Sequence, residues 1–168
     1  MRGIRKQSGE DTGAELVEFA LVLLPLLIVM FLILDISWIF FAKASLQFAA
    51  GAGVRYAITS NVMKNAQGQP MGQDASIKSI VQQNAMGFLA GQDGLNKITV
   101  NYYSPSAPST VLTGAGSNSG GNIVQVAVQG VQVNPLGFVW TGGPTAISLS
   151  ASSTDVMESS PGGTPPAR

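Results

Sequence analysis

Two carboxylates, Glu18 and Asp35, stand inside a segment that is otherwise apolar, and a glycine, Gly13, precedes the first of them by five residues. An ionised acid at the edge of lipid is costly, and a positive group within hydrogen-bonding reach offsets that cost. Glu18 is therefore expected to have a counter-charge or a task. On a plainer account, Glu15 and Glu18 merely favour the positive amino end of a helix, with Gly13 a linker residue before it. For Asp35 two expectations stand side by side: a boundary residue among the outer headgroups, or a polar contact to the helix of another subunit.

Little else in the chain is equipped for chemistry. It has no cysteine and no histidine, which removes the thiolate nucleophile, the zinc-thiolate site, the usual general base at neutral pH and the commonest metal ligand. Beyond the apolar segment the acids are Asp74, Asp93, Asp155 and Glu158, scattered over different predicted elements with no spacing that suggests a pair. Serines are abundant, but they lack a histidine and a G-x-S-x-G turn. GAGVRY fails as a dinucleotide fingerprint because Tyr56 stands at the third glycine position and no strand precedes it; TGAGSNSGG fails at Ser119. Neither catalysis, nor a cofactor or metal, nor a small-molecule substrate is expected. Nine basic and nine acidic residues give a formal net charge of zero, and no basic stripe carries interleaved aromatics, so nucleic acid is not an expected partner.

The element that must position Glu18 and Asp35 is a long helix. Only 11% of the 168 residues are charged and 45% are hydrophobic, the apolar ones concentrated before about residue 58. Phe19 to Ala42 contains a single charge, Asp35, and at the helical rise it reaches about 36 Å, enough to cross a hydrocarbon core of about 30 Å. Pro25 removes one helical hydrogen bond and loosens a turn. Arg2, Arg5 and Lys6 precede the run and Lys43 follows it, which places the amino terminus in the cytoplasm and the rest of the chain outside. Residues 1–13 read as an unfolded cytoplasmic leader, and 14–65 as a transmembrane helix with an amphipathic extension, its Leu46, Phe48, Ala49, Ala50, Val54, Ala57 and Ile58 at helical spacing. The small residues of 49–53 allow close approach, either of another helix or, by preference, of the protein's own sheet. Arg55 is expected to hydrogen-bond structurally where helix meets domain. Ala42-Lys43-Ala44 imitates an ordinary signal-peptidase site with a mature start at Ser45, but the apolar run is about twice the usual length of 7 to 15 residues.

The remainder, 66–158, is expected to form a small α+β domain, followed by a disordered tail at 159–168. Gly68, Pro70 and Gly72 mark a turn, and residues 75–90 offer a second amphipathic helix ending near Gly91. KITVNYYS, NIVQVAVQGVQV and TAISLSASSTDVM alternate like strands, with Val124, Val126 and Val128 on the core face of the second. A Gly/Ser-rich loop or hairpin tip separates the first two, and an apolar connection carrying Phe138 and Trp140 the last two. The fold class is thus α+β: a long amino-terminal transmembrane helix running into an extracytoplasmic domain with a second helix and a short antiparallel sheet of about three strands.

The order of parts at the amino end, a basic leader, Gly13, four residues, Glu18, Phe19 and an apolar helix, resembles prepilin leaders. The run from Gly13 to Ile58 further resembles the amino-terminal signature of TadE-like proteins, minor pilins or pseudopilins of tight-adherence (Flp-type) pilus systems, through Pro25, Asp35 and the closing Gly53, Arg55 and Tyr56. The resemblance implies a processing site between Gly13 and Ala14, cut by a prepilin peptidase, and assembly or docking roles for Glu18, Phe19 and Asp35. It also implies other minor pilins, a major pilin and an inner-membrane platform protein as partners, residence in a bacterial inner membrane, and a separate ATPase as energy source. A free amine on Ala14, of this chain or a neighbour, would then sit beside Glu18 and offset its cost. The competing reading is an unprocessed, single-pass, extracytoplasmic binding or adhesion module that uses the loop at 113–121 as its contact surface.

Overall fold

The computed structural model of the chain describes residues 11–135 and 146–168. The leader residues Arg2, Arg5 and Lys6, and the connection carrying Phe138 and Trp140, lie outside the described residues. Helix α1 is Asp11–Ile58, a single element of 48 residues with Pro25 inside it. Over its first half the side chains of Leu16, Val17, Leu21, Val22, Leu24 and Leu26 are exposed, whereas a core helix of comparable apolarity would have them covered. The helix is long and apolar enough to cross a membrane.

The second half of the same helix is a core element. Ala42, Leu46, Ala49, Ala50, Gly53, Val54 and Ala57 are all buried, and they recur at the spacing that keeps one stripe of a helix facing one way. Ala42 already belongs to this seam, and the helix continues unbroken through Lys43 and Ala44. A cut after Ala44 would divide the seam, which argues against the signal-peptide alternative. The helix stops at Ile58, not at residue 65: Ser60 adopts a left-handed φ of 54° and its N–H bonds the Ala57 carbonyl at 3.0 Å, a turn that ends helices by redirecting the chain. Asn65 then organises the following loop, its side-chain oxygen accepting from the N–H groups of Gln67 and Gln69 at 3.0 and 2.9 Å.

The single helix expected over 75–90 is two. Helix α2, Gln73–Asn84, buries Gln73, Ser76, Ile77 and Val81 against α1 and the sheet. Left-handed Met86 (φ 49°) and Gly87 (φ 88°) then break it, and a short helix α3, Gly91–Asn96, follows. Strands β1 (Ile98–Ser104), β2 (Ala107–Val111), β3 (Ile123–Val133) and β4 (Ile147–Val156) form one antiparallel sheet in the order β2-β1-β3-β4. The sheet therefore has four strands where the sequence suggests about three. The extra one, β2, is exposed at every position and carries Pro108 on the sheet's edge, so it lacks the alternation that reveals a strand.

Val124, Val126 and Val128 face the core as expected, opposite Tyr102, Val100 and Ile98 of β1. A bulge between Val128 and Val131, with Gly130 at φ 69°, shifts the register, so Val131 and Val133 are also buried. Helix α1 lies against β3, β4 and α2 and also treats the sheet's open edge. Lys43 Nζ donates to the Ser150 carbonyl, and Gln47 Nε2 to that of Ser152 at 2.8 Å, both on edge strand β4. Unpaired edge carbonyls invite another strand, and these two are occupied by the helix.

Candidate assembly site and polar latch

The residues that carry the TadE-like resemblance fall in three separate environments. Gly13, Ala14, Glu18 and Phe19 lie on the exposed amino end of α1. The last residues of the expected leader are helical, because α1 begins at Asp11. A Cβ built on Gly13 would meet nothing within 4 Å. Glycine inside a helix costs about 1 kcal/mol relative to alanine, and no packing within the described residues offsets that cost here. Glu18 is likewise exposed on the bare apolar part of the helix.

Asp35 is set apart from the exposed residues on either side of it. It is 6% exposed and engaged in an interaction with its surroundings, seven residues before Ala42 and so on the same stripe of α1. Its burial belongs to the chain's own fold. Pro25 sits within the continuous helix, in the exposed half.

The third group lies on the domain. Gly53 is buried where α1 meets α2 and β3: a Cβ there would come 2.4 Å from Val81 Cγ2, 3.4 Å from Val126 Cγ1 and 3.6 Å from Ile77 Cγ2. The small-residue stretch is thus divided. Ala49, Ala50 and Gly53 face the protein's own sheet and α2, while Gly51 opens onto free space and lines, with Phe48, Ala52 and Arg55, a shallow cleft of about 330 Å³ on the opposite side. Arg55 is exposed and makes no hydrogen bond among the described residues, so the structural bonding expected of it is not found there. Tyr56 is half-buried beside Ser76, and burial raises its phenol above the ordinary value while the Ser76 hydroxyl pulls the other way.

Sequence reading missed one polar cluster altogether. At the start of α2, the buried Gln73 donates from Nε2 to the Ala57 carbonyl at 3.1 Å, sealing the last turn of α1. Gln73 Oε1 accepts from Nδ2 of buried Asn118, which also bonds the Pro166 carbonyl at 2.9 Å. The Gln73 N–H meets the Ala167 carbonyl at 2.7 Å. Next to it, Asp74 accepts from Tyr102 Oη at 2.9 Å and from Arg168 Nε at 3.0 Å. Arg168 also donates to Ser117 Oγ at 2.7 Å and stacks its guanidinium 4.6 Å above the Tyr102 ring. The tail expected to be disordered has no helix or strand, yet its Pro166, Ala167 and Arg168 are fastened by these bonds. An isolated arginine in a Pro/Gly-rich stretch, with no counter-charge nearby in sequence, was the available signal.

The latch has a titration consequence. Burial pushes the Tyr102 phenol far above its usual range, and the adjacent Asp74 charge adds to the shift while Arg168 opposes it. An unfolded chain releases this proton from about pH 10 upward and the folded chain does not, so the unfolded state holds fewer protons there and stability falls with rising pH. Melting temperature is expected to stay level with respect to this group from pH 7 to 9.5. Above that the unfolding free energy falls with a slope approaching about 1.4 kcal/mol per pH unit and the melting temperature falls with it, and Tyr102→Phe should flatten that drop in melts recorded from pH 8 to 11.

No curated protein and no solved structure matched the chain. A family model described as TadE-like protein matches residues 13–55, about a quarter of the chain. The matched stretch opens on Gly13 and closes on Arg55, spanning the bare apolar helix with its exposed Glu18 and the seam that carries the domain. Over residues 13–55, from Gly13 to Arg55, the chain is similar to TadE-like proteins.

Proposed function

We propose that the chain is a minor pilin or pseudopilin of a tight-adherence (Flp-type) pilus or a related secretion apparatus. In this reading the exposed half of α1 sits in a bacterial inner membrane with the amino terminus in the cytoplasm, and the α+β domain stands on the extracytoplasmic side. A prepilin peptidase cuts between Gly13 and Ala14. The new amine pairs with Glu18, of the same or a neighbouring chain, and the bare helix passes into a bundle with sibling minor pilins, the major pilin or a platform protein. The role is mechanical, with energy from a separate ATPase. One observation carries the reading: a helix similar to TadE-like proteins that presents a bare apolar surface, an exposed acid and a glycine that packs against nothing among the described residues at one end, while its other end is built into a domain.

Mass spectrometry of the mature chain in cells with and without the peptidase tests this. The expected result is a start at Ala14 only where the peptidase is present. An intact amino end in both strains would remove the reading and favour an unprocessed adhesion module. In the loop offered as that module's contact surface, Ser117 and Asn118 are buried and tied to the tail, while Thr113, Gly114, Ala115, Gly120 and Gly121 are exposed.

A further inference from the structure

Helix α2 runs back along α1 toward the apolar half. Its first residue, Gln73, bonds the Ala57 carbonyl, its Val81 lies against Gly53, and just beyond its end the ring of Phe88 stands 5.7 Å from that of Trp38 and 6.2 Å from that of Phe41. Trp38 and Phe41, themselves stacked at 5.8 Å, occupy the last turn of the Phe19 to Ala42 run, where a spanning helix leaves the hydrocarbon and aromatic rings prefer to lie. The turn at 85–90 therefore lies beside the last turn of that run.

That turn is built to project apolar side chains. Met86 is 68% exposed and held in a left-handed conformation, an uncommon one for a side chain of that size. The backbone behind it is tied down: Gln82 Nε2 donates to the carbonyls of Leu89 and Gly91, each at 2.7 Å, and the Phe88 N–H to that of Ala85 at 3.0 Å. Leu89 is buried and anchors the turn from inside. Between Lys78 and Asp93 the sequence carries no charged residue, so nothing in the turn resists entry into an interface.

Resting on the reading of α1 as a membrane span, we propose that the turn at 85–90 is a second membrane contact, with Met86 and Phe88 inserted among the outer-leaflet headgroups beside Trp38 and Phe41. The occupant of this patch is a lipid surface, because the patch is continuous with the lipid-facing part of α1. Two contacts fix the domain's tilt, which a single helix emerging from a bilayer leaves free.

The absence of cysteine permits a direct test. Met86→Cys, Gln67→Cys and Leu24→Cys variants of the full chain, each carrying an environment-sensitive fluorophore, are reconstituted in phosphatidylcholine/phosphatidylglycerol vesicles with and without brominated acyl chains. The label at position 86 is expected to be blue-shifted and to lose at least about twofold more fluorescence to brominated lipid than the label at 67, with 24 quenched most. Equal, weak quenching at 86 and 67 with strong quenching at 24 overturns the second contact and leaves the span intact. Weak quenching at all three removes the span itself. A blue shift at 86 that brominated lipid does not quench, and that fades as protein is diluted in lipid, overturns the proposal in favour of a second copy of the chain.

Discussion

Replacing Gly53 by leucine is expected to unseat the domain from its helix, lowering its melting temperature by about 10 to 20 °C, the equivalent of about 3 kcal/mol. Even a methyl group at this position would come 2.4 Å from Val81 Cγ2. Val81 is itself buried and β-branched, with little freedom to turn away. Behind it stand Ile77 and Val126, both buried as well, so the clash passes to α2 or to β3. Gly53→Ala combines that crowding with the gain of about 1 kcal/mol that alanine brings to a helix and should be milder. Gly51, two residues away, supplies the control: a Cβ there meets nothing within 4 Å, and Gly51→Leu should leave the melt unchanged or raise it slightly. Thermal melts of the three variants in detergent, with limited proteolysis as a second readout, decide the matter. Equal losses for Gly51→Leu and Gly53→Leu would show that helix distortion, and not the seam, sets the cost.

Glu18→Gln is expected to leave cleavage after Gly13 largely intact and to reduce pilus assembly about 100-fold. In the proposed role the carboxylate offsets a free amine inside an apolar bundle, and a charge left alone there costs about 3 kcal/mol. The amide keeps the shape of the side chain and removes its charge. Counting assembled pili, alongside mass spectrometry of the processed chain, separates the two steps. Glu15→Gln provides the comparison, since Glu15 is an exposed acid near the same helix end; a comparable loss there would mean that net charge at the amino end matters and the position of Glu18 does not. An unaffected pilus in the Glu18→Gln strain would end the docking role of this acid.

Long periodic features were legible in the residues, and features made by tertiary contact were not. The apolar run from Phe19 onward, the alternation of Val124, Val126 and Val128, and the small-residue stripe each repeat a pattern over many positions, and a single misplaced residue does not hide them. The break at Met86 was invisible because it depends on a left-handed backbone at a residue that shows no preference for it. Strand β2 was invisible for the opposite reason: it is exposed throughout and is held by pairing with β1 alone. The tail was misread because proline and glycine content reports how poorly a segment can build its own core, and this one borrows Gln73, Asp74, Ser117 and Asn118 from elsewhere. As for the site, Gly13 and Glu18 stood out as a misfit between residue type and neighbourhood. The division of residues 49–53 into an inward and an outward face required the sheet to be in place.

The seam between α1 and the domain also determines how the molecule carries load. Ala42, Leu46, Ala49, Gly53 and Ala57 lie in line along the helix, with Lys43 and Gln47 joined to β4 beside them. A pull along the helix axis therefore stresses all of these contacts together, in shear, and none can fail without its neighbours. A sideways pull would open them one after another, like a zip. The seam is expected to resist a pull along the helix axis better than one across it.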